Sequence, residues 1–139
     1  MKRLIIIFLV LSSYCSGQSV ASFTFQPVDM GIGARYDYLF KDFGVYGAIT
    51  KGNYKVSTDF YIKDHYKFAV GILVPTEYGF ITGGVSYNRY GKMKGEIRQI
   101  ALNPVSVDFG GGVFIGRFVC SIRMDFVKWE PTIDIGFVL

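Results

Sequence analysis

The sequence predicts an all-β protein, a closed antiparallel up-and-down transmembrane β-barrel of about eight strands. The chain has 139 residues, enough for one domain, and contains 17 Gly, 10 Tyr and 13 Phe. Helical bundles are instead rich in Ala, Glu, Lys and Leu. Apolar residues alternate with polar or small residues along most of the chain, which is the period of a β-strand. The polar face is mainly Gly, Ala, Ser and Thr, and such small side chains suit the interior of a narrow barrel.

Residues 1–17 have the pattern of a signal peptide, which leaves 18–139 as the barrel domain. A basic start is followed by an unbroken apolar run of eight residues from Leu4 to Leu11, and small residues then lead to a cleavage point. Eight apolar residues are too few for a membrane-spanning helix, which needs about 20. Two alternatives stay open: a lipoprotein anchored through Cys15, and an N-terminal core strand.

The charge and cysteine content of the remaining chain exclude two classes of protein. Lys2 and Arg3 belong to the signal, so its removal lowers the formal net charge from the +4 of the whole chain. No Lys/Arg-rich block of the kind that binds nucleic acid is present. Cys120 is the one cysteine after the signal, so no intramolecular disulfide can form. An exported domain of this size then needs another source of stability, and a lipid bilayer is one.

Eight segments show the strand alternation, and the links between them alternate in length. The segments are 20–25, 31–40, 43–51, 65–74, 80–90, 105–115, 118–127 and 132–139. The links 41–42, 75–79 and 116–117 are short, whereas 52–64 and 91–104 are long. Short turns on one rim and longer loops on the other are typical of outer-membrane barrels. With eight strands, both termini lie on the short-turn rim. Whether the short first segment closes the barrel is left open.

Each segment has a face of charged, polar and small residues and a face of large apolar residues. The apolar face is predicted to lie outside, because an outer surface of Phe, Ile, Val and Tyr needs lipid around it. The charged face then forms a lumenal network of Arg35, Asp37, His65, Lys67, Asp108, Arg123, Asp125 and Asp134. Aromatic residues at the strand ends form two predicted interfacial girdles: Tyr38, Phe40, Phe43, Phe118 and Phe137 at the short-turn rim, and Tyr66, Tyr87, Phe126 and Trp129 at the other. The alternative is that these aromatics are ordinary core residues.

The short turn at 116–117 also predicts strand register. It places Asp108 directly opposite Asp125. If the next hairpin turns over 128–131, Asp125 faces Asp134 as well. Facing carboxylates destabilise a sheet, so we expect the basic lumenal side chains to pair with them in a buried network that plugs the barrel. A bound divalent cation, or a register slip that separates the three aspartates, is the alternative.

The tail of the chain carries the most specific sequence pattern. It comprises Pro104 through Phe114, Arg117-Phe118, Met124-Asp125, Trp129-Glu130-Pro131, and Asp134 to Leu139. With these motifs the chain resembles the small eight-stranded outer-membrane barrels of the OmpX type, in the form found in Bacteroidota, and the resemblance extends from Val20 to Leu139. It implies an outer-membrane location in a Gram-negative bacterium, insertion by the barrel-insertion machinery, and no shared catalytic residues. Family members usually finish with an aromatic residue that this machinery reads, whereas here Phe137 stands two places before the end.

No motif for catalysis, metal binding or cofactor binding is found. His65 is the single His, and without a Cys or Glu cluster it does not make a zinc site. Its lumenal position favours a structural role. The run Gly110-Gly111-Gly112 lacks the GK[ST] of a phosphate loop and is interpreted as a smooth inner wall. The sequence therefore predicts a protein that is not an enzyme and carries no cofactor, with a lipid-modifying enzyme as the weaker alternative.

The predicted loops 52–64 and 91–104 would face the cell surface. The second contains Lys92, Lys94 and Arg98 with Glu96 as the one acid. A solvated loop is the default interpretation of this basic stretch. The sharper hypothesis is attraction to phosphorylated lipopolysaccharide or to another cell surface.

These features predict an integral outer-membrane protein with a structural or surface-interaction role in adhesion or in the envelope. It is porin-like in architecture, but without an open pore, because side chains fill the lumen of an eight-stranded barrel. The expected partners are outer-membrane lipid and lipopolysaccharide, the barrel-insertion machinery and a surface partner at the two loops, with no nucleic acid. The rival interpretation is a barrel that binds or transports a lipid or small molecule, which requires an apolar interior.

Overall fold

A computed structural model describes residues 17–28, 30–57, 60–90, 93–94 and 104–139. Residues 1–16 of the predicted signal segment, which include Cys15, and the loop residues Lys92, Glu96 and Arg98 lie outside the described residues. The described part is all-β, with no helix. Its strands are β1 (Gln18–Gln26), β2 (Gly31–Leu39), β3 (Gly44–Ser57), β4 (Phe60–Pro75), β5 (Gly79–Arg89), β6 (Met93–Lys94), β7 (Val105–Ile115), β8 (Phe118–Asp125) and β9 (Glu130–Val138).

Eight of these strands form a closed antiparallel up-and-down barrel, which confirms the predicted fold class. Each pairs with its neighbour in the chain, except that β5 pairs with β7 across the loop that contains β6. The first strand settles the question that the sequence left open. β1 pairs with β2 on one side and with β9 on the other, from Val20 opposite Val138 to Phe25 opposite Ile133. The barrel therefore has no open edge between its first and last strands.

The β3–β4 hairpin is longer than the sequence predicts. The segment 52–64 was expected to be a loop, but β3 continues to Ser57 and β4 begins at Phe60. The pairing has irregularities between Gly52 and Tyr54 and between Lys55 and Ser57. Bulges of this kind shift the side-chain period by one residue, and the local alternation is lost although the strands continue. The two residues of β6 add to the same sheet by pairing with Tyr61 and Ile62 of β4.

Of the two registers predicted for the last three strands, one is confirmed and the other is wrong. Gly116, with φ of 63°, makes the tight β7–β8 turn, and Asp108 lies opposite Asp125, as predicted. The predicted pairing of Asp125 with Asp134 is wrong. Asp125 pairs with Glu130, and Asp134 pairs with Ser121. The physical reason is that the turn lies two residues earlier in the chain, over 126–129 instead of 128–131. A hydrogen bond from the Trp129 N–H to the Asp125 carbonyl (2.7 Å) closes it, with a positive φ at Trp129.

The interior divides into an apolar end and a polar middle. The buried apolar side chains gather toward the short-turn rim: Val20, Leu39, Tyr46, Ala69, Leu73, Phe80 and Val119. Charged and hydroxyl-bearing side chains occupy the rest of the lumen. The large apolar residues of the other strand face are exposed on the outer wall. Most of the lumen is thus polar, whereas the outer wall is largely apolar.

Candidate functional site

All eight residues of the predicted lumenal network point into the barrel, each with 4% or less of its surface exposed. They do not form one row of carboxylates. Instead they divide between two ion-pair clusters and a separate hydrogen-bonded histidine. The arginine cluster consists of Arg35, Asp37, Arg123 and Asp134. The lysine cluster consists of Lys67, Asp108 and Asp125.

Asp134 is the centre of the arginine cluster. Arg123 binds it with two parallel hydrogen bonds, Nε to Oδ2 and Nη2 to Oδ1, both 3.0 Å. Arg35 reaches Asp134 from β2 with Nη1 (2.9 Å) and also donates from Nε to Asp37 (2.6 Å). The hydroxyls of Thr24 and Ser121 donate to the same carboxylate at 2.7 and 2.9 Å. A carboxylate that is paired with two cations and hydrogen-bonded at both oxygens is the form in which a buried charge is tolerated. Within the same cluster, Arg35 Nη2 is buried without a hydrogen-bond partner.

Tyr46 stacks against both arginines, a contact that the sequence analysis missed. Its ring centroid lies 4.5 Å from the Arg35 Cζ and 5.3 Å from the Arg123 Cζ. The ring reaches across β4 and β5 at two glycines. A methyl group on Gly71 or Gly84 would overlap the Tyr46 side chain and the neighbouring backbone. Small residues on the inner wall therefore make room for a large residue that holds the guanidinium groups in place.

Lys67 links the two facing aspartates of the lysine cluster. Its Nζ donates to Asp108 Oδ1 at 2.8 Å and to Asp125 Oδ2 at 2.9 Å. Asp108 and Asp125 are directly opposite each other on β7 and β8, whereas Lys67 reaches them from β4, on the far side of β5. Asp125 also accepts the backbone N–H groups of Val127 and Lys128, both at 3.0 Å. One ammonium group thus offsets the repulsion that the register creates.

His65 is part of a separate hydrogen-bonded chain. Its Nε2 lies 3.1 Å from Asn88 Oδ1, and Asn88 Nδ2 donates to Ser106 Oγ at 3.0 Å. The imidazole ring stacks on Tyr90 at a centroid distance of 4.9 Å. These two contacts orient the imidazole ring in the lumen. Across the described residues, no group of three or more His, Cys, Asp or Glu side chains has the arrangement to hold a metal ion.

The sequence analysis also missed Glu130, which is buried at the long-loop end of the lumen. The sequence pattern places Glu130 in a link between strands, and it therefore predicts neither an inward nor an outward direction for this side chain. Because β9 begins at Glu130, this residue points inward with Thr132 and Asp134. A second hydrogen-bonded series, from Thr50 to Gln26 (2.9 Å) and from Gln26 to Thr132 (3.3 Å), fills the same region. The sequence alternation assigns Thr50 and Thr132 to the inner face, whereas Gln26, like Glu130, falls in a predicted link.

The lumen between these groups is almost fully occupied. A cavity of about 10 Å³ lies among Thr50, Lys67, Arg123 and Thr132. That volume is about one water-sized sphere. A cavity of this size does not hold a lipid or a small organic ligand.

The outer wall has the complementary composition. Exposed apolar side chains lie on every barrel strand, among them Phe23, Ile49, Val70, Val85, Phe109, Ile122 and Ile135. Cys120 is exposed there as a free thiol. Among the described side chains that face outward from the strands, the charged ones are Lys51 and Arg89, both close to the long-loop rim. An apolar band without charges thus surrounds the barrel between its rims.

The predicted aromatic girdles lie at the two ends of this band. Phe43, Phe118 and Phe137 are exposed at the short-turn rim, and Tyr87, Phe126 and Trp129 at the other, with Trp129 71% exposed; Phe40 and Tyr66 are half-buried. Tyr38 differs from the prediction of an outward girdle residue. It is 7% exposed, because its ring packs edge-on against Phe40 at 4.8 Å and lies beside Gly17.

Comparison of the chain with family models, with curated proteins and with solved structures finds no match. Across the described residues, no helix is long and apolar enough to cross a membrane. The fold and the lumen define the class on their own: a closed eight-stranded up-and-down β-barrel, filled by a polar and charged interior and enclosed by an apolar outer wall.

Proposed function

We propose that this protein is an integral outer-membrane barrel of a Gram-negative bacterium, with a structural or surface-interaction role and no open pore. The observation that carries the proposal is the charge-free apolar outer wall around a lumen of buried ion pairs. In water, so many exposed Phe, Ile and Val side chains would drive association, because monomeric soluble proteins rarely expose apolar patches of more than a few hundred Å². In a bilayer the same wall is favourable, and strands that alternate outward apolar with inward polar residues are the signature of membrane barrels.

The filled lumen supports a role other than passive diffusion of solutes through the barrel. The two ion-pair clusters and the apolar residues at the short-turn rim leave a cavity of about 10 Å³. The rival function, binding or transport of a lipid or small molecule inside the barrel, needs an empty apolar interior. An enzymatic role in lipid modification needs a nucleophile and a base in contact, whereas His65 contacts Asn88 and Tyr90. Surface display and envelope support make no such demand on the interior.

The long-loop rim is the proposed site of contact with a surface partner. The β3–β4 hairpin extends to Ser57 and Phe60 and is joined by β6, so this side of the barrel continues as sheet. The predicted partners are lipopolysaccharide and a partner protein or surface at 52–64 and 91–104. Phe137 on the outward face of β9 is proposed as the aromatic that the barrel-insertion machinery reads.

Fractionation tests this proposal directly. The protein expressed in a Gram-negative host should remain in the membrane pellet after carbonate extraction and float with outer-membrane markers. On a cold detergent gel, the unheated sample should migrate faster than the boiled one, because the closed barrel stays folded. Recovery of a folded protein in the soluble periplasm would contradict membrane insertion and favour the rival class.

A further inference from the structure

A depression in the outer wall lies next to a row that contains two basic side chains. The depression has a volume of about 540 Å³ and is lined almost entirely by apolar surface. Small outward residues on three neighbouring strands form its floor, namely Ala21 of β1, Ala34 of β2 and Gly47 of β3. Its sides are formed by Tyr36, Ile49, Phe68 and Val70. Elsewhere the outer band carries large side chains at most of these positions, so this is a groove in an otherwise raised surface.

Strand pairing aligns two cations and a tyrosine in one row at the long-loop side of the groove, with Arg89 on β5, one strand beyond the groove lining. Lys51 pairs with Tyr66, and Tyr66 pairs with Arg89, so the three stand in one row across β3, β4 and β5. The Lys51 Nζ lies 5.3 Å from the centre of the Tyr66 ring. The next outward row contains Ile49 and Phe68, which line the groove. Outward rows are separated by about 7 Å, since side chains on one face recur every two residues.

We propose that this surface binds one membrane lipid with a phosphate-bearing headgroup. An acyl chain lies in the groove against Ala34 and Gly47, and the headgroup phosphate is held between Lys51 and Arg89. Alternate strands in a sheet lie about 10 Å apart, a span that two long basic side chains can close around one phosphate. Along the outer wall, the apolar groove is followed by the two cations. A lipid has the same sequence of groups, an apolar acyl chain followed by a charged headgroup. This inference rests on the proposed insertion in a membrane.

Charge identifies the occupant. A second copy of the chain would bring the same apolar band and the same two cations to the groove, and like charges would then face each other across the interface. A phosphate-bearing lipid instead supplies the opposite charge at the depth where the cations stand. Basic residues near an anionic membrane surface each contribute roughly fivefold in affinity.

Native mass spectrometry of the folded protein in detergent tests the headgroup contact. The probes are dioleoyl phosphatidylglycerol, dioleoylglycerol with the same chains and no phosphate, and inorganic phosphate. We expect one tightly bound phosphatidylglycerol and weak binding of dioleoylglycerol. Lys51→Gln with Arg89→Gln should weaken phosphatidylglycerol binding by about 25-fold. The matched control, Lys41→Gln with Arg117→Gln, removes the same charge at the opposite rim and should change binding less than twofold.

A second pair of variants tests the groove. A Cβ on Gly47 would meet nothing within 4 Å, so Gly47→Leu fills the depression without displacing a neighbour. Gly83 also faces outward, on β5, where a Cβ would meet only Phe109 at 3.8 Å. Gly47→Leu should weaken phosphatidylglycerol binding at least tenfold, whereas Gly83→Leu should leave it unchanged. Faster migration of the unheated sample on a cold gel shows that each variant is folded.

Four results would overturn the inference: unchanged binding in both test variants, equal affinity for dioleoylglycerol, displacement of the lipid by inorganic phosphate, or a dimer that Gly47→Leu abolishes. The last result would assign the groove to a second copy. Failure of the parent protein to stay in carbonate-washed membranes would instead contradict the proposed function. The two failures are separate measurements and can be told apart.

Discussion

Replacement of Lys67 by Met is the sharpest test of how the charged lumen holds this barrel together. Lys67 bridges Asp108 and Asp125 with hydrogen bonds of 2.8 and 2.9 Å, and all three side chains are buried. Met has a similar length and no charge, so Lys67→Met removes the cation with little change in packing. Two carboxylates then remain directly opposite each other on β7 and β8.

The expected loss of stability is large. Removal of one partner from a buried ion pair typically costs about 3–5 kcal/mol, and like charges at facing positions add to the loss. Arg123→Leu should cost less, about 1.5–3 kcal/mol for hydrogen bonds to a charged group. Asp134 would keep the Arg35 contact at 2.9 Å and the two hydroxyl donors. The structure therefore predicts that Lys67→Met loses more stability than Arg123→Leu.

Urea unfolding in detergent, read as the fraction of fast-migrating protein on a cold gel, measures both variants. Lys67→Met should unfold at a clearly lower urea concentration than Arg123→Leu, and Lys67→Met with Asp108→Asn should recover part of the loss. Lys41→Met, at an exposed turn, is the control and should match the parent. If Lys67→Met unfolds at the urea concentration of the parent, the lysine cluster does not stabilise the barrel and the reasoning fails.

Three further predictions concern the outer wall, the contact of Tyr46 with the two arginines, and the lumen. Ile122→Arg, in the middle of the apolar band, should lower bilayer stability by about 2–4 kcal/mol, and Ile115→Arg, at the short-turn rim, by about 0–1 kcal/mol; equal losses in urea titrations of the bilayer-embedded protein would mean that the band is not in lipid. Tyr46→Leu should cost about 1–2 kcal/mol through the lost stacking on two guanidinium groups, whereas Tyr46→Phe keeps the ring and should unfold nearly as the parent does in the same assay. Planar bilayer recordings should show no stable conductance of porin size, and a steady porin-like current would disprove the filled lumen.

Much of the lumenal site could be predicted from local sequence. The side chains of a strand alternate between its two faces, so the inward direction of Arg35, Lys67 and Asp134 follows from their neighbours in the chain. The same alternation assigned Tyr46 to the interior. Its contact with the arginines could not be predicted, because that contact depends on the glycines of two other strands.

The sequence by itself determined that the chain is a barrel and which residues face inward, because period-two alternation is a local property. Only the tertiary structure decided which inward charges meet. The predicted partner of Asp125, Asp134, and its observed partner, Glu130, are an even number of residues apart, so both registers keep the same face toward the lumen. A register shift of one residue would turn every side chain of the strand to the opposite face, in conflict with the hydrophobic pattern. A shift by an even number of residues leaves that pattern unchanged, so the pattern does not distinguish the two registers. The turn after Asp125 sets the observed register. In this register Asp134 lies away from the facing aspartates and in contact with Arg123.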